Sequence, residues 1–227
     1  MEILICMVVT LALSLLLRDA IKAVPWVFYV IAIAAVILHQ THALFTWWRA
    51  GALFLFPYMS RCLFGICLFI IVMYLGVFSV NNKFRKRLMP IRGELSIIAS
   101  IFVAGHIANY IAPYIQTAMH GISNLSGNLI AGFIVAFALV LLLIPLSITS
   151  FKAIRNKMKP ASWRKLQKWA YLFYALVYVH LCLLLAPSAF QGGRQAIISL
   201  VFYTVVFVAY AILRVRRAMV DKKETEA

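Results

Sequence analysis

The sequence predicts an all-α fold, a polytopic bundle of about seven transmembrane helices. Three observations point there. Of 227 residues, 65% are hydrophobic and only 12% charged, against about 45–50% apolar in an ordinary soluble domain. Mean hydropathy is +0.96. The basic residues behind the net charge of +16 fall between long apolar runs instead of spreading over a surface. So little polar surface cannot cover a soluble fold, which excludes a cytosolic enzyme or a nucleic-acid binder. Seven spans of about 20 residues use roughly 140 positions and leave short loops, with no room for a separate catalytic domain.

The apolar segments are Ile3–Leu17, Pro25–Phe45, Cys62–Val80, Leu95–Tyr114, Leu129–Thr149, Trp169–Ala186 and Ala196–Leu213. At 1.5 Å per residue most can cross a hydrocarbon core of ~30 Å. The first is short and ends at Arg18-Asp19. It lacks the basic start and small-residue cleavage site of a signal peptide, so it reads as a helix. Trp47, Trp48 and Trp163 lie near span ends, as interfacial aromatics do. Pro113–Asn128 reads as an uncharged loop, and Pro57, Pro113 and Pro145 as lying near span ends or in loops. With the N-terminus outside, Arg18, Lys22, the Lys83–Arg92 and Lys152–Lys168 clusters and the stretch from Arg214 to Lys223 lie inside. Only Arg49, Arg61 and Arg194 remain outside, and this asymmetry satisfies the positive-inside rule. The expectation is a multi-pass protein of the cell (inner) membrane with a cytoplasmic C-terminus.

An ionisable residue inside a span is costly and is a functional candidate by default. His106 lies 12 residues past Glu94, and His180 lies 13 past Gln167. Those spacings correspond to ~18 and ~20 Å of helical rise, so both imidazoles sit at one depth. Two such groups on helices of the same direction match the axial ligation of a haem iron. The alternative is two separate histidines, each bonded to a neighbouring helix. His39 and His42 share a face near the end of the second span. They read as interfacial residues, with a metal, a quinone head group or a second haem as alternatives, and His39 is kept as a spare iron ligand. His120 falls in the uncharged loop. Cys6, Cys62, Cys67 and Cys182 form no C-x-x-C pair and read as small hydrophobes.

The stretch Ser147-Ile148-Thr149-Ser150, the basic run Lys152 to Lys159, Trp163-Arg164-Lys165-Leu166-Gln167, Tyr171 and His180 resembles the ferric reductase-like transmembrane domain. Arg92-Gly93-Glu94-Leu95 leading to Gly105-His106 matches its earlier helix. In size the chain is most similar to the haem-binding membrane subunit of the periplasmic methionine sulfoxide reductase. The resemblance covers about residues 60–215 and implies a six-helix core, made here by helices two to seven, plus one additional N-terminal helix. The implied organisation is an added helix over 1–24, a haem-binding domain over 25–213 and a basic cytoplasmic tail over 214–227.

The chain departs from the family pattern at Gln167, where the family's W-x-x-L-H has its histidine, and at Arg92. The outer pair, His106 and His180, remains and the inner pair does not. The resemblance therefore implies one b-type haem. A single outer haem leaves roughly 20 Å of inner-half membrane without a cofactor, so a quinol or an FMN near the haem is the expected donor. The expected partners are membrane lipid and a soluble or periplasmic oxidoreductase that accepts electrons outside, with no nucleic acid. The chain is then an electron-transfer subunit without an NAD(P)H or substrate domain of its own. The competing expectation is a haem-free transporter or assembly subunit, against which stands the absence of Asp and Glu from span centres.

Overall fold

The computed structural model describes residues 2–43, 49–119 and 126–226, without the side chains of 52–54, 118 and 222–226. Among the described residues every regular element is a helix. They form two compact units. One holds residues 2–75 and 83–119, the other 76–82 and 126–226.

In the first unit, α1 (Glu2–Leu16) breaks at Leu17 into α2 (Arg18–Ala23). α3 (Pro25–Gln40) begins on a proline, which suits a position whose N–H has no intrahelical partner. It ends in a turn where His42 takes φ +53°. The expected second span ran on to Phe45, but its last residues, 44–48 with Trp47 and Trp48, lie outside the described residues. Then follow α4 (Arg49–Ser60), Cys62 in the left-handed region at φ +56°, and α5 (Leu63–Tyr74). α5 is apolar on all sides and buried over most of its length, so it is the centre of this unit. α1 packs on one flank of it and α7 on another. α6 (Lys83–Leu88) and a 3₁₀ turn (Met89–Ile91) lead into α7 (Arg92–Met119), which also packs against α3. Glu94 is buried in the first turn of α7, where a carboxylate complements the helix dipole. Leu68, Ile71, Leu75, Leu88, Ile91 and Leu95 form the shared core.

The second unit contains α8 (Gly127–Ile148), two short helices α9 (Lys152–Arg155) and α10 (Pro160–Gln167), α11 (Trp169–Phe190) and α12 (Arg194–Glu226). α11 packs against both α8 and α12. Tyr174 stacks on Phe207 with centroids 4.2 Å apart and meets Tyr210 edge-on. Ile134, Phe137, Leu141, Ile144 and Ile148 of α8 are exposed at helical spacing. An apolar stripe left bare in this way is a lipid-facing one.

Four helices are long and apolar enough to cross a membrane, within 83–117, 127–148, 160–190 and 194–221. Three shorter apolar helices, Glu2–Leu16, Pro25–Gln40 and Leu63–Tyr74, account for the other expected segments. The chain is a multi-pass membrane helix bundle. Several boundaries differ from the sequence reading. The third helix stops at Tyr74 and turns through the residues up to Val80. The loop expected from Pro113 is helical to Met119, and Pro57, Pro113 and Pro145 all lie inside helices, as does Pro187. A proline removes one N–H and one ladder bond but does not end a helix whose neighbours hold it. The expected tail after Leu213 continues as helix to Glu226.

α3 and α7 touch at Gly105. A Cβ there would lie 2.7 and 2.9 Å from the two γ-methyl groups of Val36, and a β-branched side chain has little freedom to yield. Gly105→Ala is expected to cost about 1–3 kcal/mol by overpacking. Adding Val36→Ala should recover most of that loss in thermal unfolding of the purified protein. Equal, additive losses in the double variant would exclude the contact.

Candidate functional site

His106 lies in the middle of α7, and its Nδ1 is 2.8 Å from the backbone oxygen of Ser60. A carbonyl can only accept, so Nδ1 carries the proton and Nε2 keeps the lone pair. Ser60 is the last residue of α4, and the final carbonyls of a helix have no partner within it. The imidazole therefore satisfies a group that hydrocarbon would leave unbonded. Tyr110, one turn further along α7, packs its ring 4.8 Å from that of His106.

His180, in the other unit, repeats the arrangement. Its Nδ1 is 3.2 Å from the backbone oxygen of Gly132 on α8. Again the carbonyl forces the proton onto Nδ1 and leaves Nε2 as the lone-pair nitrogen. Gly132 permits the close approach of the two helices, since a Cβ there would already lie 3.2 Å from Leu184.

His39 belongs with His106 in the first unit but is used differently. Asn109 donates from Nδ2 to His39 Nε2 at 3.1 Å, so the proton of His39 is on Nδ1. The ring is only 8% exposed and lies 5.1 Å from Phe56. His42 stacks on the same phenyl ring at 6.5 Å. His120 lies outside the described residues. Among the described residues no group of three or more His, Cys, Asp or Glu side chains could hold a metal ion.

The segment that ends at Gln167 is tied together at Thr149. Gln167 Nε2 donates to Thr149 Oγ1, and Trp163 Nε1 donates to the Thr149 backbone oxygen, each at 3.1 Å. Trp163 and Gln167 are four residues apart and share a helix face, so both reach the same buried threonine. Thr149 in turn donates to the Pro145 carbonyl. The sequence did not announce this hub. The Thr149, Trp163 and Gln167 positions were visible only as parts of a motif. The cysteines are free, and Cys6 meets Thr10 one turn on in α1, with Sγ 3.8 Å from Oγ1.

Residues 81–178 match the family described as "Ferric reductase like transmembrane component". The match supports a place for this part of the chain in the ferric reductase-like superfamily. It includes His106 and Gln167 and stops two residues short of His180. An uncharacterized protein of Treponema pallidum (strain Nichols) is 34% identical over 165 residues, which is 73% of this chain and 46% of that protein. The chain thus spans about half the length of the curated relative it matches. No solved structure matches it.

Thr149→Val removes the acceptor of Gln167 and leaves the backbone oxygen that Trp163 uses. One neutral hydrogen bond is worth about 1 kcal/mol. Amide exchange across Pro160–Gln167 is therefore expected to quicken several-fold, while the rest of α8 and α11 keeps its protection. Unchanged exchange in α10 would show that the hub does not hold it.

Proposed function

We propose that the chain is a membrane electron-transfer subunit in which His106 and His180 would hold the iron of one b-type haem. The observation that supports this reading is the shared tautomer. Each imidazole gives its Nδ1 proton to a backbone carbonyl and keeps Nε2 as a lone-pair donor, which is the form an iron ligand needs. The residues fit the group in chemistry, and each stands near the middle of its own helix. The relation to ferric reductase like transmembrane components supports the electron-transfer class.

Haem, when bound, supplies one-electron chemistry at its iron, with a potential set by axial ligands and surroundings. The chain's own residues hold and tune. The Ser60 and Gly132 carbonyls fix the two ring orientations and, by accepting Nδ1–H, raise the basicity of Nε2. Tyr110 packs beside one ring and narrows its freedom. Gln167, whose amide is bound to Thr149, is assigned to packing, and this favours one haem over two. His39 is left outside the ligand set, because Asn109 already bonds its Nε2. The reading takes a quinol or an FMN as donor and an oxidoreductase outside the membrane as acceptor.

The optical spectrum of the purified protein tests this. Low-spin b-type bands at about one haem per chain are expected, as one bis-histidine pair implies. They should be lost in His106→Ala and in His180→Gly, and free imidazole should restore them in the latter. Two haems per chain would overturn the single-haem reading. No haem under ample supply would return both histidines to helix packing and favour a haem-free transporter or assembly subunit.

The proposed orientation in the cell membrane has the basic stretches inside. Lys157→Cys in a cysteine-free chain is then expected to react with a membrane-impermeant thiol reagent only from the cytoplasmic side. Labelling from outside would reverse the topology.

A further inference from the structure

A cavity of about 480 Å³ opens among α1, α2, α3, α4, α5 and α7 in the first unit, and neither the histidine pair nor the motif at Thr149 uses it. Its volume falls within the ~300–1,000 Å³ of small-molecule sites. Its wall is apolar, with Leu13, Leu17, Ala35, Leu38, Leu68 and Phe102 among the lining residues. Along α3 it runs from Phe28 to His39, about 16 Å at helical rise and about half of the ~30 Å hydrocarbon core. That is the length of a tail in one leaflet.

The slot has one polar end. Thr10 and Ser14 also line it, but Ser14 donates its hydroxyl to the Thr10 carbonyl, and Thr10 meets the Cys6 thiol. His39 is different. It is more than nine-tenths buried and lines the cavity, and Asn109 has fixed its proton on Nδ1. Among the described residues that Nδ1–H has no hydrogen-bond acceptor. A donor that meets only an apolar cavity costs free energy that a bound acceptor recovers. Water would satisfy the donor but not the dry slot behind it.

We infer that this slot binds one chain of a membrane amphiphile whose head carries a carbonyl oxygen, with the tail along α3 and the carbonyl accepting from His39 Nδ1–H. Two sources share that chemistry, the ester of an acyl phospholipid and the ring carbonyl of a long-chain quinone. Asn109 stands one turn from His106 on α7, so the head of either lies beside the helix that carries His106. Binding itself needs no haem, and its test is independent of the optical spectrum.

The protein in nanodiscs of ether-linked phosphatidylcholine, which carries no ester carbonyl, is photolabelled with two probes, each with a diazirine at the chain end. One is a phosphatidylethanolamine, the other an alkyl benzoquinone, and adducts are mapped by peptide mass spectrometry. At least one probe is expected to label around Leu17, Ile21 and Phe28, at the end of the slot away from His39, and an excess of its unlabelled form should remove the label. The probe that is competed identifies the source. His39→Phe should lower cavity labelling about fivefold, the value of one hydrogen bond, and Ala35→Trp, which fills the slot, should abolish it. Competition in the unaltered protein decides the matter even if a variant fails to fold. Labelling by both probes that is no denser in the slot than on the exposed stripe of α8, or that excess amphiphile leaves unchanged, would overturn the inference.

Discussion

Hydrocarbon offers no hydrogen bonds, so a polar group within the spans needs a partner from the protein or from a bound ligand. The polar contacts of this chain follow from that one constraint. His106 takes the carbonyl at the end of α4, His180 takes a carbonyl in α8, and Gln40 reaches across to the Gly105 carbonyl. Thr149 gathers Gln167 and Trp163, while Ser60, Thr117 and Ser150 return their hydroxyls to carbonyls four residues earlier in the chain. What satisfies the backbone also sets the chemistry of the imidazoles. A histidine that must donate from one nitrogen to a carbonyl is left with a defined lone pair on the other.

Small residues make these contacts possible. Gly105 precedes His106 and lets α3 and α7 approach until a methyl group would collide with Val36. Gly132 is both a tight point against Leu184 and the residue whose carbonyl His180 finds. Packing and site are thus one feature here. The glycines bring backbones close, and closeness turns a carbonyl of one helix toward a side chain of the next. Enlarging either glycine disturbs a histidine as well as a helix crossing.

The helical class and the seven apolar segments were legible because a span needs a long apolar run, and such runs are plain in any sequence. The helix from Arg49 to Ser60 was not legible, since its charged start and Pro57 both read as loop. Met119 was placed in a loop because Pro113 read as a breaker, although the helix passes through it. Beyond Leu213 the signal was polarity, yet Arg, Lys, Ala, Met and Glu are good helix formers once a helix has started. At the site, His39, His106 and His180 stood out as ionisable groups in apolar surroundings. Their partners did not, because every residue owns a backbone carbonyl and none is marked in the sequence. The slot beside His39 was hidden for a related reason. A void belongs to the packing of several helices and to no residue among them.

The last helix runs 33 residues without a break, which makes it ~50 Å long, against ~30 Å of hydrocarbon. About 20 Å of it stands clear of the core as a rigid rod, with Arg217 clasping Asp221 at 2.8 Å one turn on. A rod of this kind has no joint at the membrane surface. Any tilt or rotation of the buried part is delivered undiminished to its far end, and a body that grips the far end turns the span in the same measure.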